Sequence, residues 1–256
     1  MASLIVTDLD KTLLNDKKEI TSYSVNVLKR CKKNGIKIAF ATARPERATE
    51  EFQRLFQPDF IISNNGATIS ESNGNVIYNK YIPQTTRDTL ISTLISMNDV
   101  TCLTVEAGIC LYTNYKGEPW DSANWNPIYN DFSERLNINT PKISIECSNN
   151  ALISDLISQY SNLHLYFNSG ENWSQIMHID STKMKAIHYL STLLGIKISN
   201  IIAFGDDYND IEIIEKCGKG VAVENAIELV KKVASCICLN NNENGVAKWI
   251  ESHLLN

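Results

Sequence analysis

Leu4-Ile5-Val6-Thr7-Asp8-Leu9-Asp10-Lys11-Thr12 decides the fold. Leu4–Leu9 is a short apolar run that ends in acids. Such a run suits a strand buried on both faces, the kind that parallel sheets make when helices cover both sides. On an extended chain, Asp8 and Asp10 lie two residues apart and project to the same side. Two carboxylates on one side repel unless a cation or a shared proton intervenes. The pair therefore fits a divalent metal, an acid–base couple, or solvated acids at a strand-end turn, and by itself leaves these open.

Working outward, the chain keeps a βα rhythm. Thr21 can cap a helix with Val25, Leu28 and Cys31 on one face, and Gly35 stops it. Residues 36–42 (IKIAFAT) read as a second buried strand, Pro45 opens a helix carrying Phe52, Leu55 and Phe56, and residues 59–63 (DFIIS) form a third strand. Ala67–Ile69 and Val76–Tyr78 flank Ser-Asn-Gly-Asn, a hairpin turn. The rhythm resumes late. Ser181 can cap a helix that Gly195 ends. Strands at 200–205, 220–223 and 236–239 then alternate with helices to the final one at Gly245–Leu254. This is the pattern of an α/β, Rossmann-like, doubly wound parallel sheet.

Between these two halves the texture changes. Four of the six prolines and three of the four tryptophans fall between residues 80 and 180. The pattern there is a helix (86–98), strands (101–106, 109–114), an irregular stretch with a helix, a strand (142–147), a helix (150–159) and strands (163–168, 174–179). Residues 1–82 and 179–256 thus read as one core domain, and 83–178 as an inserted α+β domain.

Composition narrows the function. The 256 residues carry 24 Lys+Arg against 29 Asp+Glu, a net charge of -5, which argues against a nucleic-acid partner. The longest apolar stretches are strand-sized, so no membrane partner is expected. The opening residues lack the features of a signal peptide. Together with seven cysteines free of any CxxC pair, this leads to the expectation of a cytoplasmic protein with reduced, mostly buried thiols. The four histidines show no zinc-ligand spacing.

Three more predicted strand ends carry polar side chains. Ala41-Thr42-Ala43-Arg44-Pro45 offers a hydroxyl and backbone N–H groups able to hold phosphate oxygens, or an ordinary helix cap. Lys183 stands in the first turn of the helix that re-enters the sheet. A cation there opposes the helix dipole, and Lys185 is its competitor. Gly205-Asp206-Asp207-Tyr208-Asn209-Asp210 crowds three acids and an Asn into a strand-to-helix turn, for metal binding or for capping. In a doubly wound sheet all four segments meet at one edge, and that coincidence is far less probable than any one match.

With DLDKTLL, ATAR, Lys183 and GDDYND in this order, the sequence resembles the haloacid-dehalogenase-like (HAD) phosphatases. IISNNGA (61–67), GVAVENA (220–226) and NENGVAKWI (242–250) resemble the Cof-type subfamily, which inserts its cap (type IIB) between the second and third motifs. Lys11 and Ala43 stand where that family usually has Gly, and Asp207 where Gly is common. The last two imply a backbone that needs no glycine-only angle. The resemblance implies a Mg2+-dependent phosphatase acting on a small phosphorylated metabolite, most plausibly a sugar phosphate. Asp8 would be the nucleophile forming an aspartyl-phosphate, and Asp10 the general acid and base. Asp8, the Asp10 carbonyl and Asp206 would hold Mg2+, with Asp210 orienting them from behind. Thr42, Lys183, Asn209 and the backbone at Leu9 and Ala43 would hold the phosphoryl group, with Arg44 and Asn65 as further substrate contacts. The insert would close as a lid, and Trp120 and Trp125 could line its entrance or simply pack. A phosphotransferase or sugar-phosphate mutase, or a non-catalytic metabolite-binding regulator, are the competing readings. The assembly expected is a monomer or homodimer.

Overall fold

The computed structural model describes residues 2–116, 125, 127–167 and 172–255. Among these residues the strands form two sheets. The larger contains β1 (Leu4–Thr7), β2 (Lys37–Ala41), β3 (Phe60–Ser63), the hairpin β4 (Thr68–Glu71) and β5 (Val76–Asn79), β12 (Ile201–Gly205), β13 (Lys219–Val223) and β14 (Cys236–Cys238). Its order is β14-β13-β12-β1-β2-β3-β4-β5. Pairing is parallel from β14 to β3 and antiparallel beyond.

Strand β1 sits at the centre, aligned with β12 through Leu4↔Ile201 and with β2 through Leu4↔Lys37. Its four residues are all buried, as a strand covered on both faces requires. The strand order reverses at β1, and in open α/β sheets the ligand crevice lies beyond the carboxyl ends at such a switch point. Asp8 is the first residue past that end. Helices α1 (Ser22–Lys33), α2 (Glu50–Leu55), α5 (Lys183–Leu194), α6 (Ile211–Lys216), α7 (Glu228–Val233) and α8 (Gly245–Leu254) complete this half. Thr21 caps α1 as expected, accepting from the Ser24 amide.

The smaller sheet has the order β10-β11-β9-β6-β7-β8. Its strands are β6 (Val100–Glu106), β7 (Leu111–Thr113), β8 (Pro127–Tyr129), β9 (Lys142–Cys147), β10 (Leu163–Phe167) and β11 (Trp173–His178), with helices α3 (Gln84–Ile95) and α4 (Asn150–Ser158). Each sheet has its own apolar cluster. One is drawn from residues on either side of the insert, such as Leu4, Phe40, Ile187 and Phe204. The other gathers insert residues around Leu90, Leu103, Ile143 and Ile176 together with Ile82, which the sequence reading places in the core domain.

Several local expectations are corrected. Thr182, not Ser181, caps α5 by accepting from the Lys185 amide, while the Ser181 hydroxyl donates to the Lys80 carbonyl. Pro45 precedes a 3-10 turn (Glu46–Thr49), and α2 begins only at Glu50. No helix occurs among the described residues between β7 and β9. The strand β8 lies there instead, parallel to β7. Trp120 lies outside the described residues. All seven cysteines are free and six are buried. No helix among the described residues is long and apolar enough to cross a membrane.

Candidate active site

Three strand ends and one helix start converge. After β1 the chain folds into a tight turn, Leu9–Leu13, closed by the Leu14 amide on the Leu9 carbonyl at 2.8 Å. Lys11 takes φ 58° inside it, the left-handed region that glycine occupies freely. The departure at this position is therefore a real substitution into a glycine-favouring conformation. Ala43 is not among the residues with positive φ, and Asp207 is extended at φ -124°. Both agree with the expectation that neither position needs glycine.

The same turn sends the Thr12 hydroxyl to Asp206 Oδ1 at 2.7 Å. Beyond β12, Asp210 turns back and its Oδ2 accepts from the Asp206 amide at 3.1 Å. Gly205 makes room for that return, because a Cβ there would lie 2.4 Å from the Cβ of Asp210. At the start of α5, Lys183 Nζ reaches both Asp8 Oδ1 and Asp210 Oδ1 at 2.7 Å, and its side chain is fully buried. Lys185 points elsewhere, onto Asp180 and the Ile179 carbonyl. The competition between the two lysines is thus decided by geometry. Gly66, at φ +98°, sits where a Cβ would come within 2.2 Å of the Thr182 carbonyl, so this turn seats the start of α5 and with it Lys183.

Asp10 behaves differently from Asp8. Arg44 grips it with two bonds, at 2.7 and 2.8 Å, and Lys18 adds a third at 2.7 Å. Burial alone would raise its pKa, but Arg44 and then Lys18 outweigh it and hold Asp10 down at about 2. Arg44, expected at the substrate, is spent on Asp10 here. Thr42 is buried, and its hydroxyl accepts from the Arg44 amide at 3.1 Å. Asn209 donates to Asn65 at 2.7 Å, and Asn65 donates to Gln175 of the insert at 2.9 Å. The Leu9 side chain is buried in the core.

Whether this site suits a divalent cation follows from its donors and charge. One oxygen each from Asp8, Asp206 and Asp210 lie within 4.8 Å of one another. These are hard donors, as Mg2+ prefers. Three carboxylates against the single Lys183 ammonium leave two negative charges over. The strain is visible in the acids. Asp8 is pushed well above the usual carboxylate range by burial, despite Lys183, with Asp210 and Asp206 adding to the rise. Asp206 rises to about 7, through burial and then Asp210, against the Thr12 bond. A divalent ion would relieve both. Among the described residues no hydrogen bond reaches the second oxygen of Asp8 or of Asp206. Both oxygens of Asp210 are committed. The fit is therefore to Asp8 and Asp206 as ligands with Asp210 behind them. The Asp10 side chain lies outside this cluster.

Above the cluster a cavity of about 390 Å³ is walled by both halves of the chain. The core contributes Asp8, Asp10, Thr42, Ala43, Arg44 and Asn65, and the insert contributes Glu106, Lys142, Tyr166 and Gln175. Trp125 also lines it. Arg47 joins the halves by a two-pronged ion pair with Glu106 and by bonds to the Trp125 carbonyl. The sequence reading missed Thr12, Lys18, Arg47, Glu106, Lys142 and Gln175. Thr12 stood inside a motif and could have been named. The insert residues gave no signal, because only the folded chain brings them to the first sheet.

The chain matches the haloacid dehalogenase-like hydrolase family over residues 5–250, and it belongs to that family. The phosphatase YitU of Bacillus subtilis (strain 168), named for 5-amino-6-(5-phospho-D-ribitylamino)uracil, is 28% identical across 98% of this chain and 97% of its own. Phosphatase YwpJ of the same organism is 26% identical across 98% and 99%. A haloacid dehalogenase-like hydrolase from Bacteroides thetaiotaomicron, known by crystal structure, superposes with a TM-score of 0.86 at 28% identity, covering 98% of this chain and 99% of that one.

Proposed function

We propose that the chain is a Mg2+-dependent phosphatase that hydrolyses small phosphorylated metabolites, sugar phosphates foremost, in the cytoplasm through an aspartyl-phosphate. One observation carries the reading: a buried Lys183 bridges Asp8 and Asp210 beside Asp206, at the switch point of the sheet. Among the described residues Asp8 keeps one oxygen clear of hydrogen bonds, as a nucleophile needs. Lys183 and Thr42 neutralise and seat the phosphoryl oxygens, joined by Asn209 and the amides of Leu9 and Ala43. Phosphoryl transfer depends chiefly on such positioning and charge balance. Asp8, Asp206 and the Asp10 carbonyl would hold Mg2+, which when bound would offset the phosphoryl charge. Arg44 and Lys18 keep Asp10 ionised and weakly basic, so they must release it before it can take a proton from water or carry one to the leaving oxygen. Residues 83–178 act as the lid that excludes water and reads the leaving group.

The test is phosphate release over a panel of sugar phosphates, nucleotides, flavin mononucleotide and pyridoxal phosphate, with and without Mg2+. Asp8→Asn should lower turnover by at least ~10³-fold, about 4 kcal/mol of barrier. Near-normal release from that variant would sink the assignment. Transfer of phosphate to added sugars, in place of release, would point to the phosphotransferase or mutase reading.

A further inference from the structure

Lys142 opens β9 in the insert, yet it lines the same cavity as Asp8 and Asp206. It is 5% exposed, and its Nζ donates to the Ala43 carbonyl at 2.7 Å. An ammonium has three donors, and among the described residues that carbonyl takes the only one in use. The other cations around the cavity are accounted for. Arg44 and Lys18 are held by Asp10, Lys183 by Asp8 and Asp210, and Lys11 is exposed to water. Glu106, the acid whose field reaches Lys142, is committed to Arg47 and to the amides of Ala107 and Gly108. Lys142 is thus a buried charge with no carboxylate within ion-pair range among the described residues. Such a charge is costly to bury unless a partner arrives.

Its position says where the partner sits. Ala43 is itself part of the proposed phosphoryl seat, so the ammonium stands at its border, on the carbonyl of a residue whose amide would face the phosphoryl group. We propose that Lys142 is a specificity-determining residue that pairs with a second anionic oxygen group on the leaving group, close to the ester. The favoured substrates are then phosphomonoesters of hydroxy acids, or bisphosphates, rather than neutral sugar phosphates. This rests on the phosphatase reading and, among small phosphorylated metabolites, moves the preference from neutral sugar phosphates to esters that carry a second anionic group. The competing role for Lys142 is a structural tie between insert and core.

The experiment compares matched pairs: 3-phosphoglycerate with glycerol 3-phosphate, 6-phosphogluconate with glucose 6-phosphate, and fructose 1,6-bisphosphate with fructose 6-phosphate. A charge-assisted bond of this kind corresponds to a preference of roughly 10–100-fold in kcat/KM for the anionic member. Which pairs show it separates carboxylate from phosphate as the recognised group. Lys142→Met should collapse the ratio towards one through KM, and Lys142→Arg should keep part of it. Wild-type ratios at or below one in every pair would overturn the proposal. So would a Lys142→Met effect equal on both members, which marks a structural tie. If no ester is hydrolysed at all, the phosphatase reading fails separately. Calorimetric titration of the same pairs into Asp8→Asn protein, with and without Lys142→Met, then decides the role of Lys142: an anionic preference that Lys142→Met abolishes supports it, and equal binding overturns it.

Discussion

Replacing Lys183 by Met is the sharpest test of how this site is held. The side chain is fully buried and its two partners nearly so: Asp8 is 9% exposed at the side chain and Asp210 1%. Met fills a similar volume but leaves Asp8, Asp206 and Asp210 facing one another with no counter-charge. Removing one partner of a buried ion pair costs about 3–5 kcal/mol. For a chain of this size that corresponds to a fall in Tm of roughly 10 °C. Asp210 and Asp8 raise the Lys183 pKa in the fold against the effect of burial. Its stabilisation is therefore complete below the ordinary lysine pKa, hence at neutral pH, and is lost only as pH rises through the folded value. The variant should behave oppositely at the acid side. Its deficit should shrink as pH falls and the elevated carboxylates take up protons, Asp206 being already at about 7 in the intact site. The assay is urea unfolding at pH 7.5 and at pH 5.5 in EDTA, with the double variant Lys183→Met/Asp210→Asn. Asn keeps an oxygen for the Asp206 amide while removing a charge, so the double variant should recover at least half the loss. A deficit below ~1 kcal/mol, or strictly additive losses, would refute the reasoning.

Three further expectations follow from the same geometry. Thr12→Val removes the bond that aims Asp206 and should weaken Mg2+ binding by roughly 10–100-fold, measured by titrating the ion against stability or turnover. Arg47→Ala strands Glu106, 2% exposed at the side chain, and should cost about 3 kcal/mol in unfolding experiments, with Arg47→Ala/Glu106→Gln regaining much of it. Lys11→Gly relieves a positive φ but loosens the unfolded chain, so a net gain of about 0.5 kcal/mol in unfolding free energy is expected; a loss of that size would show that the Lys11 side chain contributes more than its backbone strain removes.

The amino-acid order determined a good deal on its own. A short apolar run leading into Asp8, with strands and helices alternating on either side of the insert, sufficed for the doubly wound sheet, because period and turn residues are local properties. The change of texture in the middle of the chain pointed to a second α+β unit for the same reason. Thr42 and Asp206 could be named because a parallel sheet delivers its strand ends to one edge; Lys183, at the start of α5 after a strand of the other sheet, could be named only by its place in the order of motifs. What only the tertiary structure decided is how those groups share charge. Lys183 rather than Lys185 meets Asp8 because Gly66 and the Thr182 cap set the phase of α5. Asp10 is ionised because Arg44 and Lys18 close on it from different turns. Arg47, Glu106 and Lys142 join the site because the insert folds back over the sheet, pairing residues 59 and 99 positions apart. Contacts at such separations leave no periodic trace in sequence, so the chemistry of the phosphoryl seat is written in motifs, while the groups that select its ligand are set by packing.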